Sequence, residues 1–553
     1  MSTYSAMKDE AGAAAEPLPG REPVLVVGAG PVGLALACEL LRRGVPVRMV
    51  DRHRSTTEVS KAIIVWPRTL ELLAGLSASA EMVEAGHLLD GVQFFSGGSR
   101  LGSVVVSELD DSVFNHVLML PQRETERILL ARLTELGGVV EWGTEVVKVS
   151  CDDADATVLL RHGDGVEETV RTPWLVGADG AHSTVRKQLG IGFDLTSPEF
   201  TFAIADAPVE GDVDERMLNY FYSVHGAIGV GPLGGKVFRF AVSVPEGQQP
   251  SRELFQQALD QRAGSVGRVG EPKWSAIFTV RCATASSFRS GRAFLIGDAA
   301  HVLSPAGGQG LNTGIQDAVN LGWKLAGVYL GLLHPDVLDS YDEERRQAVI
   351  RVGTTTDRQT RWGLLRAPSR VVLRDLLVRA AAASGLLQRA LAPMFSQTDL
   401  CYGNAPGSWL MRAWRYPQVW EGARLPYLAH LAGVADESTG AGASAADVTL
   451  PTLILSRGRL SESEWAGARQ RLVDAAPVEL LVRDLVGGRG TPQGELARLL
   501  GKDPAAVLVR PDGHILAVAG ADRPERLFAR LTSLVTAPAP VPAADGVLGR
   551  YRS

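Results

Sequence analysis

The chain has 553 residues, 45% apolar and 21% charged, with a formal net charge of −6 and a pI near 6.0. Two to four domains with ample core are expected from that length, and a mean hydropathy of +0.06 excludes a disordered or fibrous chain. The acidic balance excludes a sequence-independent nucleic-acid binder, which needs a concentrated cationic surface.

Residues 1–20 lack both the basic and the apolar region of a signal peptide and are predicted to be a flexible tail. Val24-Leu25-Val26-Val27 is an unbroken apolar run, as in a parallel strand buried on both faces. It runs into Gly28-Ala29-Gly30-Pro31-Val32-Gly33, then a helical pattern over 34–43 that Gly44 can cap, then a second strand over 45–50 ending at Asp51. Strand and helix signals are mixed up to about residue 190. From about 191 to 285 the pattern alternates, as in 236–244; 293–297 is another buried strand, 312–333 a long helix, and helical patterns continue to about 395. Pro406 and a stretch to about 449, with linker-like residues 436–447, precede a last unit. That unit is predicted as strand 452–455, helix, strand 478–482, helix, strand 506–509 and a hairpin at Pro511-Asp512-Gly513. Residues after 537 read as a Pro/Ala-rich tail.

Cys38, Cys151, Cys282 and Cys401 are each more than a hundred residues from the next, with no CxxC and no metal-ligand spacing. We expect no metal, no disulfide framework and a reducing cytoplasm. No apolar stretch approaches the length that spans a bilayer, so no membrane association is expected.

Gly28-x-Gly30-x-x-Gly33 has the context that gives a glycine motif meaning. Glycines permit a tight turn, close approach to a pyrophosphate and helix–strand packing, and the helix N-terminus offers free N–H groups to phosphate. Asp51, 21 residues after Gly30, is placed to accept hydrogen bonds from a ribose hydroxyl. Gly229-x-Gly231-x-x-Gly234 also matches, but an alternating strand follows it rather than a helix, so it reads as a β-turn. The first motif alone does not separate NAD from FAD.

Two further segments do. Residues 176–186 (VGADGAHSTVR) and 293–312 (AFLIGDAAHVLSPAGGQGLN), with 67–72 (PRTLEL) and 120–123 (LPQR), resemble the fingerprints of class A flavoprotein aromatic hydroxylases. The likeness covers about residues 22–400, in that family's order and spacing. The unit at about 415–536, through Val509-Arg-Pro-Asp-Gly-His, resembles the thioredoxin-like domain appended to polyketide-tailoring and phenol hydroxylases. Without CxxC it is expected to serve association or stability rather than thiol chemistry.

The resemblance implies an α/β fold (α+β overall), that of p-hydroxybenzoate hydroxylase. A Rossmann-type FAD-binding domain in two parts (21–190 and 286–400) would be interleaved with a β-sheet substrate domain (191–285), followed by the thioredoxin-like domain (415–536) and a tail (537–553). It implies noncovalent FAD, NADPH or NADH as co-substrate, and O2 with an aromatic small molecule as partners; a homodimer is compatible with it. Its expected FAD contacts are Gly28, Gly30, Pro31, Val32, Gly33, Asp51, Arg52, Lys61, Gln122, Val146, Asp179, Gly180, Arg186, Gly297, Asp298, Pro305, Gly308, Gly310, Leu311 and Asn312. Pro305, Gly307 and Gly308 would form a backbone loop beside the flavin, where a bound peroxide must fit. Lys61 stands where the family usually has arginine, keeping the charge but losing the bidentate fork. Arg186 reads either as a cofactor contact or as an ion-pair partner of Asp179. His301 reads as a packing and hydrogen-bonding residue rather than a catalytic acid. Tyr222, Phe238 and Phe240, at alternating strand positions, are the candidate substrate residues. The implied activity is aromatic hydroxylation through a flavin C4a-hydroperoxide. A Baeyer–Villiger oxygenase, a phenylpropionate-type phenol hydroxylase and a flavin-dependent dehydrogenase or reductase are the alternatives.

Overall fold

The apolar run Val24–Val27 is wholly buried at the centre of a six-stranded sheet. The strand order is Arg289–Ser290, Ala293–Leu295, Leu175–Gly177, Val24–Val27, Val47–Asp51 and Val140–Trp142, parallel except at the first, antiparallel edge strand. This computed structural model describes residues 22–57, 62–196, 199–264, 266–404, 406–427, 445–446, 448–485 and 491–536. Helix Pro31–Leu41 opens with proline at its first position, where the missing N–H is not needed. It packs on the 22-residue helix Gln309–Leu330. That long helix is buried almost all round, so its polar residues Asp317, Asn320 and Lys324 need partners inside the protein.

A second sheet has the order Gly267–Val269, Phe200–Gly211, Val237–Ser243, Gly226–Gly234, Met217–Ser223, Gly91–Ser96 and Ser99–Val105, with Trp274–Val280 also paired to Phe200–Gly211. Two of these strands come from outside the 191–285 window expected for this sheet. Gly91–Ser96 pairs in parallel with Met217–Ser223, a contact between distant segments that no local pattern announces. Helix Arg252–Ala263 covers one face, with Phe221, Phe238, Phe240 and Phe255 forming the core beneath it.

In the last unit the strands lie in the order Val482–Asp484, Thr452–Ser456, Ala505–Val509, Ile515–Gly520, the first pair parallel and the others antiparallel. With helices Glu462–Asp474, Pro492–Leu500 and Pro524–Leu534 this is a βαβαββα chain. Its second strand begins at Val482 rather than spanning 478–482.

The turn at 510–514 is pressed into the rest of the molecule. Arg510 donates to both carboxylate oxygens of Glu344 (2.7 and 2.9 Å), which also accepts from Lys324 Nζ at 2.8 Å. Asp512 Oδ2 accepts from Asn320 (3.1 Å) and the Trp323 indole (3.3 Å) on the long helix. Nearby, Arg424 pairs with Glu71 and Asp111. Burial alone would raise Glu71 and Glu344, but Arg424 with Arg68, and Arg510 with Lys324, bring each carboxyl down to about 2. Burial pushes His514, packed on the Tyr402 ring, down to about 4.

The sign of the pH dependence follows. Unfolded His514 takes up its proton near 6.5 while the folded ring stays neutral, so stability falls as pH drops from 6.5 toward 4. The glutamates contribute fully above about 4.5, and that contribution is lost toward pH 2. Urea midpoints at pH 7, 5.5 and 4.5 should therefore decline, and His514→Phe should flatten the decline between 6.5 and 4. Midpoints that do not respond to pH in the wild type would contradict the assignment.

Candidate active site

A cavity of about 480 Å³ lies between the carboxyl ends of the parallel strands and the open face of the second sheet. In open α/β sheets this crevice is where ligands bind. Its walls include Gly30, Pro31, Val32, Gln122, Gly180, Asp298, Pro305, Gly308, Gly310 and Leu311, and its floor includes Tyr220, Tyr222 and Arg239.

The glycines divide into two groups. A Cβ at Gly30, Gly180 or Gly310 would meet nothing within 4 Å, so these three give a bare backbone wall facing open space. That wall suits a long, flat, phosphate-bearing cofactor such as FAD. Gly28 and Gly33 are packing glycines instead. A Cβ at Gly28 (φ +108°) would lie 2.4 Å from the Ala178 carbonyl, and one at Gly33 would lie 2.0 Å from that of Gly28. Gly308 (φ +61°) is also crowded, with Ile64 at 2.7 Å.

Asp51 ends its strand and accepts from the Ala29 and His53 amides, each at 2.7 Å, joining the glycine turn to the second strand. Arg52 is exposed beside it, and Lys61 lies outside the described residues. Gln122 bridges Ala62 (3.2 Å) and Glu126 (2.8 Å) at the cavity wall. The Val146 side chain is buried in the core of the FAD unit and is not part of the cavity lining.

Several residues expected to contact the cofactor also bind neighbouring protein groups that hold the site together. Asp179 accepts from Ser183 Oγ (2.5 Å) and the Thr184 amide (2.6 Å), and Ser183 in turn caps helix Thr184–Gln188 by accepting from the Arg186 amide (2.9 Å). Arg186 is buried, stacks on Phe193 and donates to the Ala181 (2.9 Å) and Ala299 (2.8 Å) carbonyls. Its hydrogen bonds go to carbonyls rather than to Asp179, and they tie residues 181–186 to the turn that carries Asp298. Asn312 is saturated: its Oδ1 accepts from the Trp66 amide (2.8 Å) and Thr69 Oγ1 (2.7 Å), and its Nδ2 donates to Ile64 (2.9 Å) and Gly308 (2.7 Å) carbonyls.

Asp298 sits on the Gly297–Ala299 turn, exposed toward the cavity. The turn is held by Asp317, whose Oδ2 accepts from the Gly297 amide (3.0 Å) and contacts His301 Nε2 (2.6 Å), while Oδ1 accepts from Arg345 Nε (2.7 Å). Asp317, His301 and Arg345 are fully buried. Burial works against the Asp317 charge, but His301 and Arg345 outweigh it and hold the carboxyl below its usual range. His301 therefore has the packing and hydrogen-bonding role expected, though on a short strand rather than a helix start. Sequence reading missed Asp317, because nothing local marks a helix carboxylate as the anchor of a turn 20 residues away.

The loop ahead of the long helix is held from two sides. The Trp66 indole donates to the Gly307 carbonyl (2.8 Å), and the Gly307 amide donates to the Tyr220 hydroxyl (3.2 Å). The helix starts at Gln309, earlier than the expected 312, so its positive end borders the cavity.

The floor corrects two expectations. Tyr220 and Tyr222 share the cavity face of their strand, but Phe238 and Phe240 point the other way, into the core under helix Arg252–Ala263. Strand parity allows no other outcome once Arg239 and Ala241 face the cavity. Tyr220, which sequence reading passed over, follows from Tyr222 by the same period of two. The second glycine motif is mostly strand rather than turn: Gly229 and Gly231 lie within Gly226–Gly234 and line the floor, and only Gly234 and Gly235 turn the chain. Burial pushes the Tyr220 phenol up to about 12, so it is protonated at neutral pH.

A glycine turn on a parallel strand, an acid ending the next strand and a bare wall leading into a cavity at the carboxyl ends of the sheet define a dinucleotide-dependent enzyme. Residues 21–356 match the FAD-binding domain family, and the chain belongs to that family, the class A flavin monooxygenases. It is 33% identical over 574 aligned positions to 6-methylpretetramide 4-monooxygenase of Streptomyces rimosus, covering 95% of this chain and 96% of the relative. To rifampicin monooxygenase of Streptomyces venezuelae it is 31% identical over 511 residues, covering 91% and 97%. Among solved structures, OxyS anhydrotetracycline hydroxylase from Streptomyces rimosus superposes with a TM-score of 0.69 at 29% identity, covering 94% of this chain and 100% of that one. The protein is an FAD-dependent monooxygenase. No helix among the described residues is long and apolar enough to cross a membrane, and none of their acidic, histidine or cysteine side chains cluster as metal ligands.

Proposed function

We propose that this enzyme hydroxylates an electron-rich, multi-ring aromatic of the polyketide kind. The single observation that carries the reading is the glycine-walled cavity, continuous with a floor of Tyr220 and Tyr222 beside the 305–308 loop. When bound, FAD supplies the redox chemistry, accepting hydride from NAD(P)H and activating O2. The bare backbone at Gly30 and the start of helix Pro31–Leu41 would hold the pyrophosphate, Asp51 a ribose hydroxyl and Asp298 a ribityl hydroxyl. The backbone at Gly310 and Leu311, with the positive end of the long helix, would offer a positively polarised wall to the flavin ring. Tyr220, accepting from Gly307, retains its own proton to orient a phenol oxygen on the substrate. The four cysteines, more than a hundred residues apart and with no CxxC, support a cytoplasmic location.

The test is NAD(P)H and O2 consumption across a panel of phenols and polycyclic quinones, with ¹⁸O incorporation followed by mass spectrometry. One labelled oxygen in the product is expected; NAD(P)H oxidation that never labels product would favour a reductase. Gly310→Val is the sharper probe of the oxygen step. Its side chain enters open cavity space, whereas valine at Gly308 would strain a left-handed residue against Ile64. Gly310→Val should keep oxidising NAD(P)H but divert most turnover to hydrogen peroxide, measured as the ratio of peroxide to product.

A further inference from the structure

A second cavity, about 830 Å³, adjoins the first. Tyr222 and Gln359 line both. Gln359 also reaches the loop: its Oε1 would lie 3.4 Å from a Cβ at Gly307. One pair of side chains thus stands between the 305–308 loop and the outer space. Tyr222 packs over Gly363, where a Cβ would lie 2.6 Å from its ring, so the absence of a side chain there makes room for the phenol.

Helices Asp339–Gly363, Pro368–Ala383 and Leu386–Phe395 enclose the outer cavity, with Leu377, Val378, Leu391 and Met394 on an apolar wall. Leu373, Leu376 and Leu377 are 58%, 60% and 51% exposed along one side of the second helix, forming an apolar lip. Arginines are interspersed in the lining. Arg351 is paired with Asp399 and Arg374 with Asp375, and Arg389 lies over Trp414. Arg358 is exposed and makes no ion pair among the described residues.

Volume decides what this space is for. The 480 Å³ inner cavity must hold both the isoalloxazine and the ring under attack, and ordinary ligand pockets run to roughly 300–1,000 Å³ for the ligand alone. A substrate of several fused rings therefore needs adjoining space, and the outer cavity shares the inner one's wall. We propose that the two form one bipartite site: the ring to be hydroxylated lies over Tyr220, and the distal rings pass Tyr222 and Gln359 into the outer cavity. Arg358 there meets an ionised phenol or enol of the substrate. This rests on the oxygenase reading above and names the shape and charge of its substrate.

The test uses the FAD-loaded full chain and two probes, resorcinol and a four-ring hydroxynaphthacenequinone, with Kd read from the flavin absorbance shift and turnover from O2 uptake. Leu377→Trp fills the outer cavity from a half-exposed position, and Arg358→Gln removes the cation from an exposed one. The ratio of the four-ring Kd to the resorcinol Kd should rise at least tenfold in Leu377→Trp and about threefold in Arg358→Gln. A wild type that binds the four-ring probe no more tightly than resorcinol, or variants that shift both Kd values equally, would overturn the bipartite site. Tight four-ring binding that responds to the variants but consumes no O2 would keep the site and remove the oxygenase reading instead.

Discussion

Replacing Asp317 by alanine lowers the unfolding free energy by about 3–5 kcal/mol, the usual cost of deleting one member of a buried ion pair. Arg345 and His301, both fully buried, lose their shared carboxylate, and the Gly297 amide loses its acceptor. The Gly297–Ala299 turn is then no longer held, so the variant should also be purified with little FAD. Urea denaturation with flavin content measured on the same sample checks both. Asp317→Asn keeps an acceptor for the amide and should retain more flavin at similar loss of stability. Wild-type stability in the alanine variant would show that the turn is held by something else.

Asp298→Ala should behave in the opposite way. The residue is exposed toward the cavity, so the apo protein should unfold at nearly the wild-type urea midpoint. FAD affinity should fall about 10- to 100-fold, the equivalent of roughly 1–3 kcal/mol for one or two hydrogen bonds to a buried ligand. Fluorescence titration of the apo enzyme with FAD gives the affinity directly. A variant as unstable as Asp317→Ala would assign Asp298 to the scaffold rather than to the cofactor.

The contrast between these two aspartates shows where sequence reading stopped. Asp298 stands out in the sequence because it follows a buried apolar strand and precedes a glycine-rich loop. Asp317 lies mid-helix among apolar residues, and its partners His301 and Arg345 are 16 and 28 positions away. Arg186 could be read as cofactor contact or ion pair; it is a brace to the Ala181 and Ala299 carbonyls, and the second of these is 113 residues distant. Asn312, expected to touch FAD, spends its amide on Trp66 and Ile64, more than 240 residues away in sequence.

What the sequence by itself determined are the features with local physical causes. The apolar run at Val24–Val27, the glycine turn, proline at the first position of its helix and the strand-end Asp51 each follow from backbone freedom, capping or a short period. The fingerprint segments likewise carry their order along the chain. Only the tertiary structure decided which face of each strand meets the cavity, because a period of two says that residues alternate but not which set points inward. It sent Phe238 and Phe240 to the core, brought Tyr220 to the loop and recruited residues 91–105 into a sheet that otherwise begins at Phe200. It also placed the 510–514 turn against the long helix. Those outcomes depend on pairings between segments tens to hundreds of residues apart, whose register is set by burial across the whole fold and leaves no mark on the local pattern.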